Sequence, residues 1–534
     1  MLNPIPDSEI SKLQQDFEDV VVELGHDQHL LQHKQEILAV WYASPFIRRV
    51  SMSQPRFLQS LLANNELNKN YGIVEYQHFL SETFVNIESV GQLQRRLRKK
   101  RVAAFARIAW RDVKQYTSVQ QTLNELSFFA EVCIQGTLQW CFEWLQSQTK
   151  SDDFVKKLKQ EIVIFALGKL GGGELNFSSD VDIVFAYVDQ AENKSEEVQQ
   201  GHVGQASEFY LRVVQLFIKV LSEQTQDGFV FRVDTRLRPF GDSGSLIPSF
   251  SSIDQYFQIH GRDWERYAWQ KARVIAGDQQ AGEQFLHEIT PFIYRRYLDY
   301  GAMQSLRKMK ALIDTKARQE VAKENLKIGF GGIREIEFIA QMFQLIYGGK
   351  DVSLRLHSTL RALEQLEVQG LLSSDWAAKL TKAYLFLRKL ENALQLRDDQ
   401  QIHSLPSDHK QQEHYVYLLG MKNWQEFYAE YEKQTNIVNV IYQSLLKSEE
   451  STDAEEIEFG GFSNIWLQMN DKEFCLDVLT KYFEADANKI YQQLHDFQQS
   501  SLVKKLIPVA RERLDGFVPM FLQQLLQFEE PLQV

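Results

Sequence analysis

From about Ile10 to Gln160 the apolar residues recur at spacings of three and four. HKQEILAVWYASPFIRRV and NELSFFAEVCIQGTLQWCFEWLQ carry this period, which predicts helices that bury one stripe. Proline disfavours helical geometry in the residue before it, so Ser44-Pro45 and Ser53-Gln54-Pro55 mark helix boundaries. At Glu161 the period changes. EIVIFALG (Glu161 to Gly168) is a β-branched apolar run that stops at glycine, as a buried strand does. After a glycine-rich segment, DVDIVFAYV (Asp180 to Val188) alternates like a strand with one polar end. A helix is predicted over Ala206 to Glu223, and GFVFRVDTRLRPFG (Gly228 to Gly241) reads as a strand ending at Pro239.

Helical periodicity resumes near Ser252 and runs through Lys447, with GRDWERYAWQKAR (Gly261 to Arg273) read as one helix and GFGGIR (Gly329 to Arg334) as an interruption. KSEESTDAEEIE (Lys447 to Glu458) is acidic and polar, as linkers are. Two or three more helices follow. The expected organisation is a helical region (1–155), a small mixed α/β catalytic unit (156–280), a helical domain (281–447), an acidic linker (448–458) and a closing helical segment (459–534).

At 534 residues the chain exceeds one hydrophobic core, in keeping with several domains. Only 11 prolines and 27 glycines are present, a scarcity that long packed helices produce. A net charge of −12 argues against a nucleic-acid partner, whose phosphates call for a positive face. The one strongly basic run, QLQRRLRKKR (Gln92 to Arg101), reads either as a solvated helix face or as a patch for an acidic partner. Cys133, Cys141 and Cys475 form no CxxC pair and read as buried thiols. The acidic beginning is unlike a signal peptide, and no stretch approaches a membrane span, so the expected setting is cytoplasmic with no membrane partner.

Chemistry enters with DVD. Side chains two apart on a strand share a face, so Asp180 and Asp182 project together while Val181, Ile183 and Phe185 face the other way. Adjacent carboxylates repel unless a divalent cation lies between them, and Mg²⁺ accepts one or two carboxylates plus substrate phosphate. The preceding GKLGGGELNFSS offers Gly171 and Gly172 for close approach to phosphate and Ser178 or Ser179 as hydroxyl donors; a plain glycine turn is the competing reading. In VDTRLRP a period of two puts Asp234, Arg236 and Arg238 on one face, either as a cation ligand beside two phosphate-binding guanidiniums or as a salt-bridged surface. Lys271 and Arg273 are further phosphate candidates, or ordinary helix-surface pairs. Arg334 shares a stripe with Glu337 and Gln341 at the start of a glycine-led helix, which is either solvated or aimed at an anion.

A strand, a glycine and serine loop, DxD and a third Asp on a neighbouring strand together resemble the polymerase-β nucleotidyltransferase superfamily. The longer motifs GKLGGGELNFSSDVDIVFAY, DGFVFRVDTRLRPFGDSG, GRDWERYAWQKAR, IGFGGIREIEFIAQ and LRKLENALQ followed by SLPSD resemble the glutamine synthetase adenylyltransferase/adenylyl-removing family, from roughly Pro45 to Leu446. ELNFSSD and GGIREIEF are similar to the amino-terminal, adenylyl-removing half, and the last helices to the start of the regulatory region. The resemblance implies an α+β fold, with a polymerase-β-like unit and its small mixed sheet embedded in helical domains. It implies phosphorolysis of adenylyl-tyrosine on glutamine synthetase by orthophosphate, releasing ADP, with Mg²⁺ or Mn²⁺ held by catalytic Asp180, Asp182 and Asp234, and a PII-type protein as regulatory partner. On that reading the chain is a shortened form without the adenylylating half. ATP-dependent adenylylation, or a catalytically silent helical scaffold, are the alternatives.

Overall fold

The computed structural model describes residues 5–149, 155, 158–189, 196–294, 325–396, 401–447 and 471–504, with single positions within 462–469 and 514–528. The acidic linker expected at 448–458 lies outside the described residues. Two compact units are present, one made of the described residues up to 439 and the other beginning at Val440.

In the first unit the prolines act as expected. Helices Lys34–Ala43, Pro45–Ser53 and Pro55–Ala63 are separated at the predicted points, with Pro45 and Pro55 in the first turn where a missing N–H costs nothing. Ser44 Oγ caps the second of them by accepting from Ile47 N at 3.3 Å. The basic run falls in helix Val90–Val113, and part of it is not solvated at all. Arg98 is buried and donates to Gly228 O (2.6 Å), to Val220 O (3.3 Å) and to Glu223 O. These carbonyls lie at and just beyond the C-terminal end of helix Glu196–Ser222, where helix carbonyls have no intrahelical partner and a cation is favoured. The buried Arg101 stacks over the rings of Phe105 and Phe229. Helix geometry explains this: Leu93, Leu97, Arg98 and Arg101 share the inward stripe.

The sheet has four strands, β1 (Ile162–Ala166), β2 (Val181–Tyr187), β3 (Val233–Asp234) and β4 (Arg273–Gly277), in the order β3-β2-β1-β4. β1 is antiparallel to both β2 and β4, and β2 is parallel to β3. One face of the sheet (Phe165, Val184, Ala186) packs against Ile253, Phe257 and Phe285. On the other, Phe185 meets Phe217 of helix Glu196–Ser222 edge-on at 5.4 Å. With both faces covered, β1 is continuously apolar and β2 is polar only at its ends.

Two expectations change here. GRDWERYAWQKAR is not one helix: the helix spans Asp263–Trp269, and Arg273 opens β4. The strand read through Pro239 is paired only at Val233 and Asp234, because the following turn leaves the sheet. Period-two reasoning therefore does not extend to Arg236 and Arg238.

Helices Ile333–Tyr347, Thr359–Val368, Ser374–Leu396 and His409–Leu419 follow, and helix Trp424–Lys447 carries the first unit to its end at Asn439. The second unit has its own apolar core, with Trp466, Cys475, Leu479, Phe483, Ile490 and Leu522 buried around helices Lys472–Phe483 and Ala487–Gln499. All three cysteines are free and buried, and burial pushes the Cys133 and Cys141 thiols well up. Among the described residues no helix is long and apolar enough to cross a membrane.

Candidate active site

The chain from β1 into β2 builds the floor of a cleft of about 350 Å³. Leu167 N bonds to Asp182 O at 2.9 Å, so the strand ladder continues one residue past β1 and the chain must then turn immediately. Gly168 makes that turn at φ +53°, and a Cβ placed on it would stand 2.3 Å from Asp182 Oδ2. Both conformation and space demand glycine here. Asp182 pairs directly with Asp234 across the parallel β2–β3 register, and Asp180 precedes β2 by one residue. All three aspartates line the cleft.

The three carboxylates are in different states. Asp182 is pushed up to about 6, first by burial and then by the charges of Asp234 and Asp180, with Lys327 and Lys169 opposing. Asp234 is held below the usual carboxylate range, chiefly by hydrogen bonds from Arg236. Arg236 Nε stands 3.0 Å from both Asp234 oxygens, a fork-like pair. Asp180 Oδ1 accepts from Arg232 Nε at 2.7 Å, and Gln401 Nε2 reaches Asp180 Oδ2 at 3.4 Å. Among the described residues no three acidic, His or Cys side chains are gathered at metal-holding spacing. The donor chemistry nonetheless suits a divalent cation. Hard oxygens project from neighbouring strand ends, and Asp182 is disfavoured as an anion by burial and by its like-charged neighbours, a condition that a cation relieves. Asp180 and Asp234 are meanwhile turned onto guanidiniums.

The remaining sequence candidates divide. Ser179 and Arg334 line the cleft, as do Glu337 and Gln341 from the stripe on helix Ile333–Tyr347. Lys271 also lines it, but is buried and tied to Glu174 Oε2 at 3.0 Å and Thr359 Oγ1 at 3.2 Å. Gly171 and Gly172 do not line it. A Cβ on Gly171 would lie 2.1 Å from Lys271 O, so this glycine admits close packing rather than phosphate, and Gly172 faces Glu174 and His357 O. Ser178 is buried under Arg232, whose Nη2 stands 3.1 Å from its Oγ. Arg238 is buried too, donating to Thr235 O and Oγ1 at 2.9 Å. Arg273 is spent on Glu131 Oε1 at 2.6 Å and the carbonyls of Leu170 and Gly171. Each of these last five is engaged otherwise than with an open cleft, Arg238 by its own turn and Gly171, Ser178 and Arg273 by other parts of the chain.

Other cleft residues carried no signal that local spacing could read. Lys169 donates to Glu391 Oε1 at 2.7 Å and Asn176 Oδ1 at 2.8 Å, and is pushed down to about 8, by burial first. Lys327 and Arg334 line the cleft with no side-chain hydrogen bond or ion pair among the described residues. Gln395, Gln401 and His403 supply a further wall. Behind it lies a buried network. Burial works against an ionised Glu391, yet Lys169, His403 and Arg388 outweigh it and hold the carboxyl far below its ordinary range. Arg388 donates to Asn176 Oδ1 at 2.8 Å and to Glu174 O, which anchors the loop leading into Asp180 on helix Ser374–Leu396.

Residues 34–288 match the family described as glutamate-ammonia ligase adenylyltransferase, and residues 305–446 match the one described as GlnD PII-uridylyltransferase. The chain is 37% identical over 530 residues to the bifunctional glutamine synthetase adenylyltransferase/adenylyl-removing enzyme of Pseudomonas putida, covering 98% of this chain and 54% of that protein. To the enzyme of the same description from Stenotrophomonas maltophilia it is 41% identical over 441 residues, 82% of this chain and 46% of the relative. To that of Hahella chejuensis it is 36% identical over 496 residues, 92% and 51%. The chain thus spans about half the length of the curated relatives it matches.

Proposed function

This chain belongs to the glutamate-ammonia ligase adenylyltransferase family, and on that premise we propose that its cleft removes adenylyl groups from tyrosine on glutamine synthetase by phosphorolysis. The observation that carries nucleotidyl transfer is the pairing of Asp182 with Asp234 across β2 and β3, beside Asp180 and two cations unpaired among the described residues, Lys327 and Arg334. What supports the removing direction is the motif wording ELNFSSD and GGIREIEF. Names of the relatives state both adenylyltransferase and adenylyl-removing activities.

In the proposed reaction an oxygen of orthophosphate attacks the adenylyl phosphorus, the phosphorus–oxygen bond to tyrosine breaks, the phenolate takes a proton from solvent, and ADP departs. Lys327 and Arg334 would neutralise non-bridging oxygens and hold the two anions together. Such positioning and charge neutralisation provide most of the catalysis in phosphoryl-type transfers. Asp182, Asp234 and Asp180 would hold Mg²⁺ or Mn²⁺, once Asp180 and Asp234 turn from their arginines. The cation's contribution would be charge stabilisation at the phosphoryl oxygens. Gly168 keeps the Asp182 carboxylate in place, and Arg388 with Glu391 fixes the loop behind it. Regulation by a PII-type protein is part of the proposal, supported by the PII-uridylyltransferase match over 305–446.

The test supplies purified chain with adenylylated glutamine synthetase and either orthophosphate or no co-substrate, and separately unmodified glutamine synthetase with ATP. The reading expects phosphate-dependent ADP release and no AMP transfer in the ATP arm. AMP incorporation without ADP release would reverse the direction, and silence in both arms would leave the scaffold alternative.

A further inference from the structure

Helix Ser374–Leu396 bonds to the loop entering the acidic strand at every second residue from Glu174 to Ser178. Arg388 bonds Glu174 O and Asn176 Oδ1, Asn392 Oδ1 accepts from Asn176 Nδ2 at 2.6 Å, and Gln395 Oε1 accepts from Ser178 N at 2.8 Å. One turn of spacing separates Arg388, Asn392 and Gln395, so all three face the loop. Gln395 and Asn392 are each fully buried, at 0% exposure, and each has an amide nitrogen with no partner among the described residues, Gln395 Nε2 and Asn392 Nδ2. Buried polar atoms in native proteins are nearly always satisfied, so such orphans ask for an explanation. Gln395 differs from Asn392 in one respect that matters: it lines the cleft that holds Asp180, Asp182 and Asp234.

The orientation of the Gln395 amide follows from its surroundings. Because Ser178 N–H is a donor, the atom facing it must be the oxygen, and the NH₂ group is left on the other side. A side chain locked this way presents donors only. Its natural ligand is an acceptor-only group close to Ser179 and Asp180, and the phosphoryl group that the acidic strand would process is such a group.

We infer that Gln395 is a substrate-binding residue whose side-chain amide donates to a non-bridging oxygen of the transferred adenylyl phosphate. The inference rests on the nucleotidyl-transfer reading above and deepens it by assigning a donor from a helix more than 200 residues beyond the catalytic strand. Charge on those oxygens is redistributed as the bond to tyrosine breaks, so a fixed donor there acts on turnover more than on phosphate binding. The motif LRKLENALQ, which ends at Gln395, thereby acquires a chemical role at its last residue.

Two variants test it on the full chain. Gln395→Glu keeps an acceptor for Ser178 N–H but replaces the donor with an oxygen that is a donor only when protonated. Gln395→Met keeps approximate volume without introducing charge, and serves if the first folds poorly. The expected result is a fall in kcat for phosphate-dependent ADP release on the order of a hundredfold in both. KM for orthophosphate should stay within about threefold, and only the Glu variant should recover towards wild type as pH falls. Because a carboxylate buried at this position also loses stability as pH rises, the recovery is read only over the pH range in which circular dichroism and denaturant unfolding show Gln395→Glu fully folded. Overturning results are a Met variant within threefold of wild type, or deficits in both variants that ignore pH. If wild type releases no ADP, the phosphorolysis reading fails, and the affinity of Mg²⁺–ADP decides the inference on its own. A tenfold weakening in Gln395→Met then supports it, and an unchanged affinity overturns it.

Discussion

Replacing Asp182 by Asn should stabilise this protein while abolishing its activity. Asp182 carries a carboxyl raised from its ordinary 3.8 to about 6 by burial and by Asp234 and Asp180. That displacement corresponds to about 3 kcal/mol of unfavourable free energy when the group is ionised. Between those two values the folded state binds the proton more tightly than the unfolded state, so the wild-type chain loses stability as pH rises through this window. Asn, neutral and of the same shape, does not ionise. The stabilisation of Asp182→Asn over wild type should be near zero below about pH 4, grow between about pH 4 and 6, and level at about 3 kcal/mol above that. Added Mg²⁺ should narrow the gap, because a ligand that binds only the folded wild type contributes about 2.7 kcal/mol at a hundredfold Kd. Denaturant unfolding at several pH values, with and without Mg²⁺, measures all of this. Phosphate-dependent ADP release in the same preparations should fall on the order of a thousandfold. A variant less stable than wild type at neutral pH, or one whose advantage is unchanged at acid pH, would show that the ionised Asp182 carries no such penalty.

Gly168→Ala should lower turnover on the order of a hundredfold with the second unit's stability unchanged, since its Cβ would meet Asp182 Oδ2 at 2.3 Å and misplacement by about an ångström costs that much; steady-state kinetics read it. Glu391→Ala strips the charge partner from Lys169 and Arg388 and should cost about 3–5 kcal/mol in denaturant unfolding. Arg98→Met should destabilise by about 2–3 kcal/mol, because the buried Val220 O at the end of helix Glu196–Ser222 and the part-buried Glu223 O and Gly228 O beyond it lose a charged donor, and hydrogen exchange should show that helix end opening first.

What the sequence made legible was whatever depends on neighbours in the chain. The proline-marked helix boundaries, β1, and the acidic end of β2 follow from periodicity and backbone rules, and DVD needed only the period of two to bring Asp180 and Asp182 together. β4 was hidden because RVIAG is short and follows a strongly helical run. Arg238 and Arg273 looked like phosphate ligands because spacing cannot reveal that Thr235 and Glu131 hold them. The GGG segment suggested a phosphate loop by composition, yet Gly171 serves packing against Lys271, and the glycine pressed on a catalytic candidate is Gly168. Lys327 and Gln395 reach the cleft from far along the chain, and no local pattern encodes an approach of that kind.

On the proposed chemistry, carboxylates from β2 and β3 share one divalent cation. Crystals of the chain soaked in Mn²⁺ and measured at the manganese absorption edge test it most directly. The expected result is an anomalous peak between Asp182 and Asp234, with Asp180 turned from Arg232 towards it, and no such peak in Asp182→Asn. Manganese bound elsewhere, or a cleft that stays empty in a preparation active with Mn²⁺, would contradict it.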